Sequence, residues 1–326
     1  MAQNSAIIGG TGRHRAAQGG AGCCGMLPRK KSRMAMNNQG WAGAKMTKKK
    51  AKSRAEGQEA LDAALRDAVA RGDNAAVDEC LGQGANPRGI GDDELQRNAL
   101  MVAAFEDNER CLRIFMAKGG AKDVNSKGET ALMVAAWRGS RDCLRLLLPR
   151  SDARAQDNEG WSALMWAVRR NRAPCVEDLL PKSQPDAQDR DGWTALMLAA
   201  HNSHLECLDL LLPVSNPSLK NEHGNTALAA ALQAAHLHEW GAAGGDEDDG
   251  AIDCARRLLA VSDLDAENNE GQSALALAQA LKGEKARKLA QEMLALSERR
   301  ALAREVAEVG HAQEPQASAS KALRRL

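Results

Sequence analysis

Aromatic residues are almost missing from this sequence. It contains no tyrosine and two phenylalanines, and aromatic residues make up only 2% of its 326 positions. A hydrophobic core must therefore be built from Leu, Ala, Val, Met and Cys. Because strands are enriched in β-branched and aromatic residues, this composition favours a helical architecture over a sheet.

Long apolar runs are missing as well, and one region lacks acidic residues. No apolar stretch reaches the roughly 18 residues that a membrane span requires, and the N-terminus has none long enough for a signal peptide.

Residues 1–55 contain twelve Lys and Arg and no Asp or Glu. From residue 56 on, 32 Lys and Arg stand against 43 Asp and Glu, a net charge of −11. Only the basic arm is therefore expected to attract nucleic acid or an anionic membrane non-specifically.

The same arm leaves the location of the protein open. Its Arg-rich, acid-free composition is also typical of a mitochondrial transit peptide. Its lysines Lys48–Lys50, together with Lys52 and Arg54, also fit a nuclear signal or a nucleic-acid patch. Because no aromatic residues are interleaved with these charges, we interpret the arm as a solubilising leader and expect a cytoplasmic protein.

One short pattern, Ala-Leu followed mostly by Met and then by small or apolar residues, recurs along the chain. Successive copies are 32 residues apart four times, and the last follows after 47. Every copy begins at an Asn, Thr or Ser: Asn98, Thr130, Ser162, Thr194, Thr226 and Ser273. The side-chain oxygens of these residue types accept hydrogen bonds from the first turn of a helix. Each copy therefore predicts a helix that begins there.

A second helix is predicted after each of the first four copies. A cysteine follows eleven residues after the Leu of the pattern, and in three of the four cases an apolar run and a proline come next. The cysteines are Cys111, Cys143, Cys175 and Cys207, and the prolines, which cannot continue a helix, are Pro149, Pro181 and Pro213. A glycine then recurs at one turn position, which predicts a positive φ: Gly128, Gly160, Gly192, Gly224 and Gly271.

A turn, two helices and a loop in 32 residues resemble the ankyrin repeat, which has a period of about 33 and the signature Thr-Pro-Leu-His-x-Ala. The resemblance covers roughly residues 60–300 and implies an all-α solenoid of stacked helix-turn-helix units with terminal capping helices. Two positions depart from the signature: Ala replaces Pro at 99, 131, 163, 195, 227 and 274, and Met or Ala replaces His at 101, 133, 165, 197, 229 and 276. In the family that histidine helps to tie the turn, so the departure concerns the turn and not the helical stacking.

The pattern divides the chain into five predicted segments. They are a disordered basic arm at 1–57, an N-terminal capping repeat at 58–95, ankyrin repeats at 96–283, a C-terminal capping helix at 284–309 and a disordered tail at 310–326. The spacing of 47 residues predicts an insertion at about 235–250, which contains Trp240 and the acidic run Asp246–Asp249. Because insertions in repeats form loops, it is expected to bulge out of the stack without breaking it.

We expect no catalytic, cofactor or metal site. The repeat cysteines fall on successive layers, too far apart for a disulfide or a tetrahedral zinc site, and are expected to be buried thiols. We interpret the cluster of His236, His238 and Glu239 beside the acidic insertion as a solvated loop. No nucleophile, base and orienting residue can be named at one place, which argues against an enzyme.

Tryptophan and arginine mark a candidate binding surface. In ankyrin proteins, the residue after the turn glycine and the two residues after the Ala-Ala pair line the concave recognition face, and this resemblance assigns partner binding to eight residues. They are Phe105, Trp137, Arg138, Trp161, Arg169, Arg170, Trp193 and His201. Three Trp and three Arg form the composition of a binding hot spot; packing of the Trp rings on neighbouring loops is the alternative. Trp166, which replaces Val, Leu or Ala of other copies, is expected in the core.

The sequence thus predicts a monomeric, non-enzymatic scaffold that binds a partner protein, with an acidic segment of that partner opposite the arginines. Nucleic acid is not expected to bind outside the basic arm. The alternative is an effector or regulatory protein whose basic arm also contacts nucleic acid or an anionic membrane. That alternative predicts nucleic-acid binding that depends steeply on salt and disappears when residues 1–55 are deleted.

Overall fold

The computed structural model describes residues 38–89, 91, 95–240 and 249–323. Within these ranges the chain forms fourteen α-helices and one short 3-10 turn, Leu180–Lys182, and apart from isolated β-bridges it contains no strand. The helices are α1 (Asn38–Ala70), α2 (Asn74–Gly82), α3 (Ala99–Phe105), α4 (Glu109–Ala117), α5 (Ala131–Arg138), α6 (Arg141–Leu147), α7 (Ala163–Arg169), α8 (Ala173–Leu179), α9 (Ala195–His201), α10 (Leu205–Leu211), α11 (Ala227–Trp240), α12 (Asp249–Leu258), α13 (Ala274–Ala280) and α14 (Glu284–Leu323).

The contacts divide the chain into two units, residues 1–51 and residues 52–326. In the second unit the helices alternate between an inner and an outer row. The inner helices α3, α5, α7, α9, α11 and α13 pack on one another in chain order, and the outer helices α4, α6, α8, α10, α12 and α14 do the same. The all-α stack of helix pairs is therefore as predicted.

Each predicted start residue caps its inner helix. The side-chain oxygens of Asn98, Thr130, Ser162, Thr194, Thr226 and Ser273 accept the backbone N–H three residues later, at 2.9–3.4 Å. The first residue of every inner helix follows directly. These caps explain why the pattern marks helix starts so accurately.

The core is one continuous cluster of Leu, Ala, Met, Val and Cys that runs through the stack. Leu100, Leu132 and Leu164 of successive inner helices are at most 1% exposed, and each such burial contributes roughly 1.5–3 kcal/mol. The four repeat cysteines are buried free thiols, as predicted. Burial raises the pKa of Cys175 to about 11 and that of Cys143 and Cys207 to about 12.

The segments around the turn glycines form tight loops, here called finger loops. Their glycines have φ between +72° and +84°, which confirms the predicted positive φ. An Asn or Asp side chain ties each loop by accepting the backbone N–H groups two and four residues later, at 2.8–3.0 Å. These residues are Asn125, Asp157, Asp189, Asn221 and Asn268.

Each finger loop is also joined to the next by a backbone hydrogen bond. The N–H of Asn158 donates to the carbonyl of Lys127 at 2.8 Å, and the N–H of Arg190 donates to the carbonyl of Glu159 at 3.0 Å. The fingers therefore stack in register with the helices, and the residue after each turn glycine has a fixed position beside its inner helix.

Three helix ends differ from the predicted boundaries. Helix α1 begins at Asn38, inside the segment 1–57 that was expected to be disordered, and α14 continues to Leu323 beyond the expected end at 309. Helix α11 continues to Trp240, inside the expected insertion loop. The three stretches lack the repeat pattern but contain Ala, Lys, Gln, Glu and Leu, which favour helix, so the end of the repeat pattern is not the end of the helix. Residues 1–37, 241–248 and 324–326 lie outside the described residues.

Candidate functional site

The residues that follow the Ala-Ala pair of each inner helix form two columns across the stack. Because the repeats are equal in length, equivalent side chains lie in successive layers. The first column contains Phe105, Trp137, Arg169 and His201, and the second contains Glu106, Arg138, Arg170 and Asn202.

Rings and guanidinium groups of adjacent repeats are stacked at these columns. The rings of Phe105 and Trp137 lie 5.5 Å apart between centroids, with an interplanar angle of 17°. The guanidinium of Arg138 lies 5.4 Å from the centroid of Phe105, and that of Arg170 lies 4.7 Å from the centroid of Trp137. These are cation–π distances. The four residues, called the ring ladder below, are thus held by one another before any partner binds.

The finger loops contribute a second set of contacts, each between a finger residue and the residue eight positions later on its own inner helix. Arg169 lies 5.8 Å from the ring centroid of Trp161, and the rings of Trp193 and His201 meet edge to face at 5.2 Å. In the next repeat Asn225 and Gln233 exchange two side-chain hydrogen bonds at 2.9 and 3.3 Å. Fingers and inner helices therefore form one continuous surface.

The eight predicted residues thus occur in contacting groups on this surface. Their rings are half-buried, whereas Arg138, Arg169 and Arg170 are exposed. The rings of Phe105 and Trp137 pack on each other across two repeats, those of Trp161 and Trp193 pack on their own inner helices, and all four still reach solvent. Such fixed, partly exposed rings lose little conformational entropy when a partner covers them.

The arginines of this surface differ from those of the outer helices. Arg141 and Arg145 both pair with Asp178, at 2.7 and 2.8 Å, and their hydrogen bonds lower the pKa of that carboxyl. Arg110 pairs with Asp78 at 2.8 Å. Over the part of the chain that the structure describes, Arg138, Arg169 and Arg170 make no ion pair. Three charges at the rings thus remain available to an anionic group.

Trp166 belongs to the same surface, and its predicted place in the core is wrong. The residue is half-buried, its ring lies 4.8 Å from that of Trp161 at an angle of 40°, and its indole N–H donates to Oδ2 of Asp157 at 3.0 Å. Oδ1 of Asp157 accepts the backbone N–H groups of Glu159 and Trp161. A buried indole N–H needs an acceptor, and this requirement is the signal that argues against a fully apolar position.

Metal chemistry has no visible place in the described ranges. Among these residues no three His, Cys, Asp or Glu side chains are grouped as a metal ion would require. His236, His238 and Glu239 lie on helix α11 and not in a loop, which corrects the prediction for them. Asp246–Asp248 lie outside the described residues, so the expectation of a solvated loop there stays a prediction. None of the described helices is both long and apolar enough to cross a membrane.

Comparisons with known proteins point to one family. A family model described as ankyrin repeats, in three copies, matches residues 65–157 and 164–239, together just over half of the chain. Among solved structures, the chain is similar to the ankyrin repeat domain of Bcl-3, described as a unique member of the IkappaB protein family. The TM-score is 0.56 and the identity 22%, and the match covers 71% of this chain and 98% of that one. This similarity concerns the fold. No curated protein matches the sequence.

Proposed function

Because the chain belongs to the ankyrin repeat family, whose repeats generally mediate protein–protein interaction, we propose that it is a non-enzymatic scaffold that binds a partner protein. The binding surface is formed by the inner-helix ends and finger loops, with Phe105, Trp137, Arg138, Trp161, Arg169, Arg170, Trp193 and His201 as contact residues. We further propose that the protein acts as a monomer and binds an acidic segment of its partner.

The observation that carries this proposal is the ring ladder with its unpaired arginines. Large rings and guanidinium groups dominate the energy of protein interfaces because they bury much area and form directional contacts. Here they occur on one surface, across consecutive repeats, and the contacts among them fix their positions. The arginines of the outer helices α4, α6 and α12 are paired with carboxylates and offer no comparable surface.

The partner's acidic character follows from the local charge. The chain from residue 56 on has a net charge of −11, yet the exposed charges of Arg138, Arg169 and Arg170 are concentrated on this surface. A positive patch on an acidic body steers an acidic partner toward the patch and disfavours contact elsewhere.

The experiment is a partner selection followed by a matched comparison of variants. Peptides from disordered protein regions, displayed on phage, are selected on the full chain, and the whole proteins that contain them are then titrated by calorimetry. The variant Trp161→Ala/Trp193→Ala/Arg169→Ala/Arg170→Ala is expected to lose at least about thirtyfold in affinity, since a single hot-spot residue contributes about 2 kcal/mol or more.

The control removes two arginines from the outer helix α4, Arg110→Ala and Arg113→Ala. Both form exposed ion pairs there, with Asp78 and Glu109, and such pairs contribute little to stability. Unchanged affinity of this control is expected. Equal affinity of the four-residue variant and the wild type, with both folded by circular dichroism, would refute the proposed surface.

A further inference from the structure

A pocket of about 230 Å³ opens on this surface between the first full repeats. Its apolar walls include the rings of Phe105, Trp137 and Trp166 and the side chain of Val134. Arg97 and Lys127 contribute positive charge to its lining. We call it the Trp137 pocket. Only Phe105 and Trp137 of its lining were expected at a binding site from the sequence.

The walls of the Trp137 pocket are fixed by contacts outside it. Phe105 and Trp137 are stacked on each other, and Arg138 and Arg170 lie against these two rings. Trp166 is held by its hydrogen bond to Asp157. A pocket with such walls is formed before a ligand arrives, so binding does not have to order them.

The volume of the Trp137 pocket decides the size of its occupant. Sites for free small molecules usually enclose about 300–1,000 Å³, and a volume of about 230 Å³ falls below that range. It offers room for one large apolar side chain. The rest of the ligand must then lie along the surface outside, next to the exposed arginines.

The charges around the pocket decide what flanks this side chain. Arg97 lies 5.4 Å from the Phe105 ring, and Lys127, Arg138 and Arg170 add further positive charge. Glu129, an acid in the lining, accepts a hydrogen bond from the side chain of Asn125 at 2.7 Å and keeps its negative charge, but Lys127, Arg138 and Arg170 outnumber it. The surroundings of an apolar pocket are therefore positive.

We propose that the Trp137 pocket receives one leucine, methionine or phenylalanine side chain of an extended partner segment whose neighbouring residues are acidic. The inference rests on the proposed function and names the chemistry of the partner at one part of the surface. The apolar side chain replaces water between Trp137 and Trp166, and its acidic neighbours pair with Arg138 and Arg170.

A binding site for single-stranded nucleic acid also combines aromatic rings with positive charge, but the geometry of this surface favours a peptide. A base stacks on an open ring face, whereas Arg138 already lies against Phe105, and both Phe105 and Arg170 lie against Trp137. The acidic body also repels a phosphate backbone. Because the basic arm at residues 1–55 is itself expected to attract nucleic acid, the outcome that contradicts the proposal is an oligonucleotide that competes with the peptide for the Trp137 pocket.

The test uses the full chain and a positional library of short fluorescent peptides, read out by anisotropy. The central residue is varied over all amino acids, and the flanking residues are Glu, Gln or Lys. The wild type is expected to prefer Leu, Met or Phe at the centre over Ala by at least about tenfold, and Glu over Gln and Lys in the flanks. A single-stranded oligonucleotide is titrated in parallel.

Two variants separate the two parts of the recognition. Trp166→Leu removes one wall and introduces the residue that stands at the equivalent position 198, so the fold is expected to tolerate it. It should abolish the preference for the central residue and keep the preference for Glu. The variant Arg138→Ala/Arg170→Ala should keep the preference for the central residue and lose the preference for Glu in the flanks. The control Leu198→Val, at the same repeat position outside the pocket, should change neither preference.

Equal binding of all central residues by the wild type, a central preference that survives in Trp166→Leu, or an oligonucleotide that displaces the bound peptide from the wild type and binds Trp166→Leu more weakly would each overturn the pocket assignment. The proposed function would stand in the first two cases if the four-residue variant still lost its whole-protein partner. If the four-residue variant also kept its affinity for the whole-protein partner, both the pocket assignment and the proposed function would be refuted.

Discussion

At the residue scale, Asp157 illustrates how one carboxylate joins the finger loop to the binding surface. Its Oδ1 ties the loop and its Oδ2 accepts the indole N–H of Trp166. Asn occupies the equivalent positions 125 and 221 and ties those loops through Oδ1 in the same way. The loop can therefore keep its hydrogen bonds with a carboxamide, whereas the indole cannot, because the carboxamide presents a second donor to it.

We predict that Asp157→Asn lowers the free energy of unfolding by about 1–2 kcal/mol, the cost of leaving a buried donor without an acceptor. Urea unfolding measures this cost. In a Trp166→Leu background the same substitution should cost much less, since the donor is gone, and the double-mutant cycle isolates the single hydrogen bond. An equal cost in both backgrounds would mean that the carboxylate acts on the loop alone.

Asp189 has the same place in the next finger. Burial raises the pKa of its carboxyl, despite the backbone N–H groups of Asp191 and Trp193 that donate to it. A carboxyl whose pKa is higher in the folded than in the unfolded state holds its proton more tightly when folded. The stability that this provides is complete below the unfolded pKa and is lost as the pH rises through the folded pKa.

We therefore predict that Asp189→Asn stabilises the protein at neutral pH and that the gain shrinks toward zero as the pH falls to about 4. Chemical unfolding at a series of pH values gives the difference. The reverse substitution in the next finger, Asn221→Asp, should destabilise at neutral pH, because Asn221 is 5% exposed. A gain for Asp189→Asn that did not change with pH would exclude titration of this carboxyl as its cause.

Predictability from sequence also depends on the range of the interaction. The caps at Asn98 and Thr130 and the φ of Gly160 follow from residues a few positions away, and these features were predicted. The surroundings of Trp166 depend on a side chain of the preceding repeat, Trp137, as well as on Asp157 nine positions earlier. A comparison of equivalent repeat positions sets Trp166 beside Leu198, which is buried, and therefore predicts that the Trp166 ring lies in the core.

At the element scale, the finger loops provide a matched pair of glycines. Gly160 has φ +84° and Gly271 has φ +72°. A Cβ on Gly160 would lie 2.9 Å from the backbone N of Arg190 in the next finger, whereas a Cβ on Gly271, in the last finger, would have nothing within 4 Å. Both glycines thus adopt a positive φ, and only at Gly160 would an added Cβ also collide with the backbone of the next finger.

We predict that Gly271→Ala costs about 1–2 kcal/mol for the left-handed conformation, and that Gly160→Ala costs clearly more. The excess arises because the next finger must move away and strain its backbone hydrogen bond from Arg190 to Glu159. Thermal and urea unfolding of the two variants measure the difference. Equal costs would mean that the stacked fingers separate freely, and the surface would then be less fixed than its contacts suggest.

Helix boundaries show the limit of prediction at this scale. The start of an inner helix is marked by a capping side chain, but α1 and α14 extend where Ala, Lys and Glu continue without a repeat pattern. Intrinsic helix preference and repeat periodicity are separate signals. The periodicity ends where stacking ends, whereas the helix continues as long as the local sequence supports it.

At the scale of the whole stack, the terminal repeat of an array needs a cover for its apolar outer face. Helix α14 provides this cover, since it packs on α12 and α13. Arg300 of α14 donates to the carbonyls of Ser262 at 2.8 Å, Leu259 at 3.0 Å and Ala260 at 3.3 Å. These carbonyls follow the end of α12, where a helix leaves acceptors without a partner of its own. One side chain therefore joins the cover to the last outer helix.

We predict that Arg300→Ala loosens the C-terminal end of the stack without loosening its middle. Contacts in a repeat array are mostly between neighbours, so a local loss spreads only as far as the coupling between repeats allows. Hydrogen exchange should become about tenfold faster in α12, α13 and the first turns of α14, corresponding to roughly 1.4 kcal/mol, and should stay unchanged in α5 and α7.

The neighbouring exposed Arg299→Ala, which removes the same charge, is the control and should leave exchange unchanged. Faster exchange throughout the stack after Arg300→Ala would instead mean that the repeats open together, and that a partner bound at the ring ladder would stabilise the far end as well.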